Sequence, residues 1–282
     1  MLWDDNYLYI YAELEEEHIW NDLTERDAII YYNNDFEIFI DPSNDTRNYG
    51  EIEINAIGTI FDLLLNKPYK VGGQAIINWD IKELKSAVKV YGTLNNPADK
   101  DSKWTIEMAI PLQPFVELKR PPKAFPKESE VWRINFSRVN WDYDINDEKY
   151  SRKKVDGKFL PEYNWVWSPQ YVINMHEPEK WGYLQSSDQE YSATIQVIED
   201  VYMHDKQIAY ALFRMTKAGE LKYLLENEIG TELNIKAFLD HSKSINTKFF
   251  KTQKGFEYSF NSQFSNKLFI IDEEGLLKIK AQ

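Results

Sequence analysis

The chain has 282 residues, no cysteine and a formal net charge of −13 at pH 7. This charge argues against nucleic-acid binding, because neutralising phosphates requires clustered basic side chains. The lack of cysteine excludes disulfides and cysteine-built zinc or redox sites. No run of about 18 apolar residues occurs, so the sequence predicts no membrane span. The N-terminus has no secretory-signal pattern, which leaves the compartment open.

The tryptophans divide the chain into two parts. All nine lie between Trp3 and Trp181, and residues 1–187 carry a net charge of −11 against −2 for residues 188–282. A chain of this length is about twice a typical domain. We therefore predict two domains, 1–187 and 188–282.

Short strands dominate the first part of the chain. In the segment 7–14, apolar Leu8, Ile10, Ala12 and Leu14 alternate with tyrosines and a glutamate, which is the period of a half-buried strand. Similar runs with Gly, Pro and Asn turns between them predict an antiparallel β-sandwich. These runs cover 35–40, 51–55, 60–65, 87–91, 104–110 and 131–139. Two long loops are predicted, one proline-rich at 111–127 and one charged at 142–163.

A different pattern follows after residue 187. Apolar residues recur near helical spacing between about 195 and 225, with Gly219 and Gly230 as breaks. Four short strands are then predicted at 233–239, 247–250, 256–260 and 267–271. The pattern indicates a small α+β domain without recognisable chemistry.

One sheet face is predicted to be polar. Residues two apart in a strand point the same way, so the apolar sets leave polar residues on the opposite face. These are Glu37, Glu51, Glu53, Asn55, Glu107, Arg133, Asn135 and Ser137. Such groups suit a hydroxyl-rich ligand, which aromatic residues near loops, including Tyr31, Trp141 and Trp165, could cover. The same pattern is also typical of a solvent-exposed sheet face. Trp104, Trp132, Trp167 and Trp181 are predicted to be core.

The acidic residues allow two further interpretations. Glycoside hydrolysis uses two carboxyl groups, which a pair among Glu37, Glu53 and Glu107 could supply. A sandwich of this size is more often a binding module, so we do not expect catalysis. Asp41, Asn44 and Asp45 lie in one turn and are oxygen donors of the type that binds Ca²⁺, although the same residues also form Asx turns.

The order of motifs resembles the family 9 carbohydrate-binding modules. The motifs are Leu2-Trp3-Asp4-Asp5-Asn6-Tyr7-Leu8-Tyr9-Ile10, Asn34-Asp35-Phe36-Glu37-Ile38-Phe39-Ile40-Asp41, Trp104 to Pro111, Arg133 to Arg138, Trp167-Ser168-Pro169 and Trp181-Gly182-Tyr183. The resemblance spans about residues 2–186. It implies a sandwich related to DOMON-type domains that binds a poly- or oligosaccharide without catalysis. It also implies carbohydrate catabolism beside glycoside hydrolases, in the periplasm or outside a bacterium. With such partners, residues 188–282 are expected to dock a glycoside hydrolase or a surface protein. The family's first strand is expected to be missing here.

The resemblance also implies site residues. Tyr31 and Met175 fall on the two positions where the family stacks tryptophans on a sugar, and Glu37 falls on its hydrogen-bonding glutamate. Glu53 and Ser137 replace the family's arginine and glutamine. We therefore expect a remade site that includes Trp141, Trp165 and His176. A DOMON-type haem or redox domain is a further alternative, with Met175 or another methionine and one histidine as axial ligands.

Overall fold

The structure, a computed structural model, describes residues 1–172, 175–190, 194–238 and 244–281. The chain forms two compact units, Met1–Gln196 and Val197–Gln282. The fold is mainly β, as the sequence predicts: an antiparallel β-sandwich is followed by a small α+β unit. Among the described residues, no helix has the length and apolar character needed to cross a membrane.

The first unit consists of short strands, one short α-helix and three 3₁₀ turns. The strands are β1 Leu2–Trp3, β2 Tyr7–Glu15, β3 Asp35–Asp41, β4 Tyr49–Asn55, β5 Ile60–Leu65, β6 Ala75–Ile76, β7 Lys85–Tyr91, β8 Lys103–Pro111, β9 Val131–Asn140, β10 Tyr143–Asn146, β11 Lys149–Arg152, β12 Lys154–Val155, β13 Lys158–Phe159, β14 Tyr163–Val166 and β15 Gly182–Gln185. The helix α1 is Leu112–Leu118, and the 3₁₀ turns are Ile30–Tyr32, Tyr69–Val71 and Pro178–Lys180.

Two antiparallel sheets form the sandwich. One has the strand order β1-β2-β8-β7, and the other has the order β14-β9-β3-β4-β5-β6, with β15 also paired to β9. Alternating apolar residues of both sheets meet in one core that includes Ile38, Ile52, Trp104, Ile106 and Trp132. The burial of Trp104 and Trp132 confirms their prediction as core residues.

The two predicted loops contain regular structure. Helix α1 lies inside 111–127 because Leu112, Phe115 and Val116 have helical spacing and bury one face. Pro114 lies in the first turn of this helix, where a backbone N–H has no intrahelical partner, so the proline removes no hydrogen bond. The segment 142–163 forms the hairpins β10–β11 and β12–β13. Asp147 and Glu148 close the first of them with positive φ angles of 51° and 60°.

The two tryptophans that follow β14 and precede β15 differ in burial. Trp181 is 1% exposed, which confirms its place in a core. Trp167 is 52% exposed, so its prediction as a core residue was wrong. Its ring lies directly over Gly182, where a Cβ atom would meet it at 2.2 Å, and against Phe136 at 5.7 Å between ring centroids. It therefore covers the sheet from outside.

The second unit pairs a helix with a five-stranded antiparallel sheet. The helices are α2 Met203–Ala218 and α3 Lys222–Leu225, and the sheet order is β16 Glu232–Phe238, β17 Ser244–Lys251, β18 Phe256–Asn261, β19 Lys267–Asp272 and β20 Leu277–Ala281. The sequence missed β20, in which lysines alternate with apolar residues. It also placed the helix start near 195 instead of at Met203, and residue 239, the predicted end of one strand, lies outside the described residues.

Candidate functional site

Three central strands of the larger sheet place polar side chains on one face. The face carries Asp35, Glu37 and Asp41 from β3, Glu51, Glu53 and Asn55 from β4, and Arg133, Asn135 and Ser137 from β9. The strand register puts Glu37 directly between Glu53 and Ser137. The alternation in the sequence therefore predicted which of these side chains share a face.

This polar face is buried. The 3₁₀ turn Ile30–Tyr32 and the segment 175–181 cover it and form a second apolar core around Ile30, Met175 and Trp181. The Trp181 ring packs on Phe39 and Tyr49, with ring centroids 5.4 Å and 5.1 Å apart. The interpretation of this face as solvent-exposed is therefore wrong.

A cavity of about 350 Å³ remains between the polar face and its cover. Its floor is acidic, and its walls and rim combine aromatic, apolar and polar side chains. The floor residues are Glu37, Glu51 and Glu53, and the wall and rim residues include Ile29, Tyr31, Tyr69, Glu162, Asn164, Met175 and His176. Five of the predicted binding residues thus meet here: Tyr31, Glu37, Glu53, Met175 and His176.

Two of the floor acids, Glu37 and Glu53, form a buried cluster with Asp35. Asp35, Glu37 and Glu53 each place a carboxylate oxygen within 4.8 Å of the other two. At an effective dielectric constant of about 20, two charges at that distance repel each other by roughly 3 kcal/mol. Burial raises the pKa of Glu37 to about 7 and raises the pKa values of Asp35 and Glu53 well above their usual range. These acids therefore hold protons near neutral pH, unless a bound cation takes the place of the protons.

Glu51 lies beside this cluster and faces His176. The His176 Nε2 atom is 3.7 Å from Glu51 Oε2, and His176 Nδ1 shares a hydrogen bond of 3.0 Å with the Tyr49 hydroxyl. Burial lowers the pKa of His176 to about 3, so the ring is neutral at pH 7. The Tyr69 ring packs on it edge to face, with centroids 4.6 Å apart. The site therefore contains a neutral imidazole between two tyrosines.

Three predicted binding residues stabilise loops instead of lining the cavity. The Asn55 amide donates to the Leu23 carbonyl and accepts from the backbone of Ile57 and Thr59. Arg133 donates to Asn44 Oδ1 and to the Trp181 carbonyl, at 2.7 Å and 2.6 Å.

Asn135, the third of these residues, exchanges two hydrogen bonds with the backbone of Ser168. Amides of this type satisfy backbone groups that irregular segments leave unpaired. None of the three lines the cavity, and their role as ligand contacts stays a prediction.

The two predicted tryptophan platforms are separate from each other. Trp141 is 7% exposed and donates its indole N–H to the Tyr31 carbonyl at 2.7 Å, so it holds Tyr31 and offers no open ring. Trp165 is 76% exposed and lies in another groove, of about 680 Å³, with Tyr11, Tyr163 and Trp167. Sequence reasoning did not identify Tyr69 as a rim residue, because a tyrosine in a 3₁₀ turn has no distinguishing pattern.

The predicted calcium turn is occupied by protein donors. Asp41 accepts backbone N–H groups from Ser43, Asp45 and Thr46, Asn44 accepts from Arg133, and Asp45 pairs with Arg120. This is the arrangement of an Asx turn. The prediction that the turn binds calcium has no support from this geometry.

Glu107 is separated from the other predicted catalytic acids. It lies on β8 in the smaller sheet and is exposed. It therefore cannot form a catalytic pair with Glu37 or Glu53, which are directly opposite each other in the larger sheet.

Comparison with known proteins gives limited similarity. The sequence matches no protein-family model and no curated protein. Among solved structures, the chain is similar to the crystal structure of a "putative carbohydrate-binding protein" from Bacteroides uniformis ATCC 8492, with a TM-score of 0.42 and 14% sequence identity. The match covers 64% of this chain and 73% of that chain. A likeness at this level carries no argument about function.

Proposed function

We propose that the β-sandwich binds carbohydrate without catalysis, through the cavity between the polar sheet face and its cover. The observation that supports this proposal is an acidic floor below a rim of Tyr31 and Tyr69. Carboxyl groups bind adjacent sugar hydroxyls, and an aromatic ring covers the apolar face of a pyranose.

The size of the cavity suits one end of a saccharide chain. Its volume of about 350 Å³ lies at the lower end of the range for small-molecule sites. Tyr69 is 40% exposed, so its ring is accessible at the rim. The natural ligand that we propose is an oligosaccharide whose terminal sugar enters the cavity.

The proposal agrees with the resemblance to family 9 carbohydrate-binding modules. Tyr31, Glu37 and Met175, which that resemblance places at the sugar, line this cavity together. Glu53, where the family has an arginine, makes the floor more acidic, and Ser137, where the family has a glutamine, is a shorter polar group opposite Glu37. Both differences predict a different sugar preference. We propose a role in carbohydrate catabolism beside secreted glycoside hydrolases, with docking through the second unit as a separate prediction.

A glycan array on the whole chain, followed by calorimetry with the best ligand, tests this function. Replacing Tyr69 with alanine removes a rim ring, and we expect at least a tenfold weaker affinity, which corresponds to about 1.4 kcal/mol. Tyr31→Ala removes the other rim ring and is expected to weaken affinity similarly. The local structure should persist, because alanine keeps the backbone carbonyl that accepts the Trp141 hydrogen bond.

The matched control is Trp165→Ala, which removes an exposed aromatic ring from the other groove. Its affinity should equal that of the unaltered protein. Loss of binding in this control, with retention in both tyrosine variants, would move the sugar site to that groove. Absence of any glycan ligand, or release of reducing ends from one, would refute non-catalytic carbohydrate binding.

A further inference from the structure

We propose that the buried acids Asp35, Glu37 and Glu53 form a binding site for one calcium ion, at the end of the polar face where Glu37 and Glu53 reach the cavity. The site differs from the predicted turn at Asp41, Asn44 and Asp45. It also does not depend on sugar binding. Calcium binding would give this face of the sheet a structural role that the amino-acid pattern alone does not indicate.

The spacing of the ligand atoms fits this ion. The three carboxylate oxygens lie within 4.8 Å of one another. Calcium binds oxygen at 2.3–2.6 Å, so two ligands on opposite sides of the ion are about 5 Å apart. Three oxygens within that limit can therefore contact one calcium ion together. Magnesium binds at shorter distances in a strict octahedron, so an all-carboxylate set with variable spacing favours calcium.

Unpaired oxygen atoms mark the position where the ion would bind. Asp35, Glu37 and Glu53 are 0%, 4% and 2% exposed, and each has one carboxylate oxygen with no hydrogen-bond partner among the described residues. Buried polar atoms nearly always have partners. Three adjacent exceptions indicate that a partner of a different kind completes the site.

The Ser137 hydroxyl provides a second, independent observation. It is directly opposite Glu37 in the strand register and is 2% exposed. Its oxygen makes no hydrogen bond of regular geometry among the described residues and contacts the Glu37 carboxylate. A neutral oxygen donor beside three carboxylates is a usual calcium ligand set. Water in the cavity would supply the remaining ligands.

Protons are the alternative to a metal ion. The three acids could stay protonated and share hydrogen bonds after small side-chain movements. The two cases differ in one measurable respect, because only the first makes the protein bind calcium stoichiometrically and gain thermal stability from it.

The test uses the whole chain after treatment with EDTA. Calorimetric titration with CaCl₂, without any sugar, should show one site. Terbium, a luminescent substitute for calcium, should be sensitised by Trp141, whose indole binds the backbone of the rim residue Tyr31. CaCl₂ should raise the temperature of unfolding and displace terbium, and magnesium should do both less effectively.

Three isosteric variants examine the ligands: Asp35→Asn, Glu37→Gln and Glu53→Gln. Each should weaken calcium binding at least tenfold while tryptophan fluorescence shows a folded sandwich. The matched control is Glu107→Gln, since Glu107 is a strand residue that is exposed and lies in the smaller sheet, apart from the three acids. Its calcium affinity should change less than threefold.

Two results would overturn the proposal: no binding of calcium or terbium at millimolar concentration, or an equal loss of affinity in Glu107→Gln. Sugar affinity measured in EDTA is a separate result. It tests the proposed function whether or not calcium binds.

Discussion

Replacing Trp104 with alanine is expected to lower the free energy of unfolding of the first unit by about 4 kcal/mol. Trp104 is 0% exposed and lies in the core between the two sheets. Its indole N–H donates to Glu16 Oε2 at 2.9 Å, and the same oxygen pairs with Arg138 at 2.6 Å. The substitution therefore leaves both a cavity and a buried carboxylate with one fewer partner.

Urea unfolding followed by tryptophan fluorescence measures this effect. All nine tryptophans lie in the first unit, so the signal reports on that unit alone. Trp165→Ala is the control, because its ring is 76% exposed and its loss should change stability by no more than about 0.5 kcal/mol. Similar midpoints for the two variants would contradict the position of Trp104 in the core.

The first unit is also expected to lose stability as pH rises from 6.5 to 8.5. Burial raises the pKa of Glu37 from 4.5 and that of Asp41 from 3.8, both to about 7, so the folded protein holds these protons more tightly than the unfolded chain does. The stability that these two protonated groups contribute is lost as pH rises through their folded-state pKa of about 7. Each group loses roughly 1 kcal/mol over this window. Asp35, Glu51 and Glu53 shift in the same direction.

His176 acts in the opposite direction but at lower pH. Its pKa is lowered to about 3 in the folded protein, so protonation of the unfolded chain below about 6.5 favours unfolding there. Above pH 6.5 the ring is neutral in both states and contributes no pH dependence. The carboxyl groups therefore determine the slope between pH 6.5 and 8.5.

Thermal unfolding by tryptophan fluorescence, in EDTA at several pH values, measures this slope. Glu37→Gln should make it shallower, because glutamine does not titrate. The exposed Glu107→Gln is the matched control and should leave the slope unchanged. A melting temperature that rises over this window would show that the buried acids are already charged in the folded protein.

The strand alternation predicted the sandwich and the polar face, but not the environment of that face. Glu37, Glu53 and Ser137 share a side because side chains alternate along a strand. Whether that side faces water depends on the irregular segments around Ile30 and Met175–Trp181, which have no periodic pattern. This is why a solvated face and a buried one have the same sequence signature here.

The roles of individual aromatic residues were also not readable from the sequence. Trp141 and Trp165 both follow strand β9 within a charged region, yet one is buried and the other is exposed. The difference arises from a tertiary contact: the Trp141 indole reaches the Tyr31 carbonyl across 110 positions of sequence. Trp167 is exposed for a similar reason, because a glycine in the neighbouring strand provides a surface for its ring.

The hairpin β10–β11 has a consequence for how ligand preference could diverge. Arg152 at its end places its guanidinium over the rings of Tyr32 and Trp141, at 4.4 Å and 4.7 Å, next to the rim residue Tyr31. The hairpin pairs only with itself and adds no strand to either main sheet. Changes in its length or charge can therefore alter the entrance of the cavity without changing the strand pairing of the two main sheets. A library of variants at the exposed positions of this hairpin would therefore test ligand preference, while Tyr143 and Tyr150 are kept because their rings pack on His18.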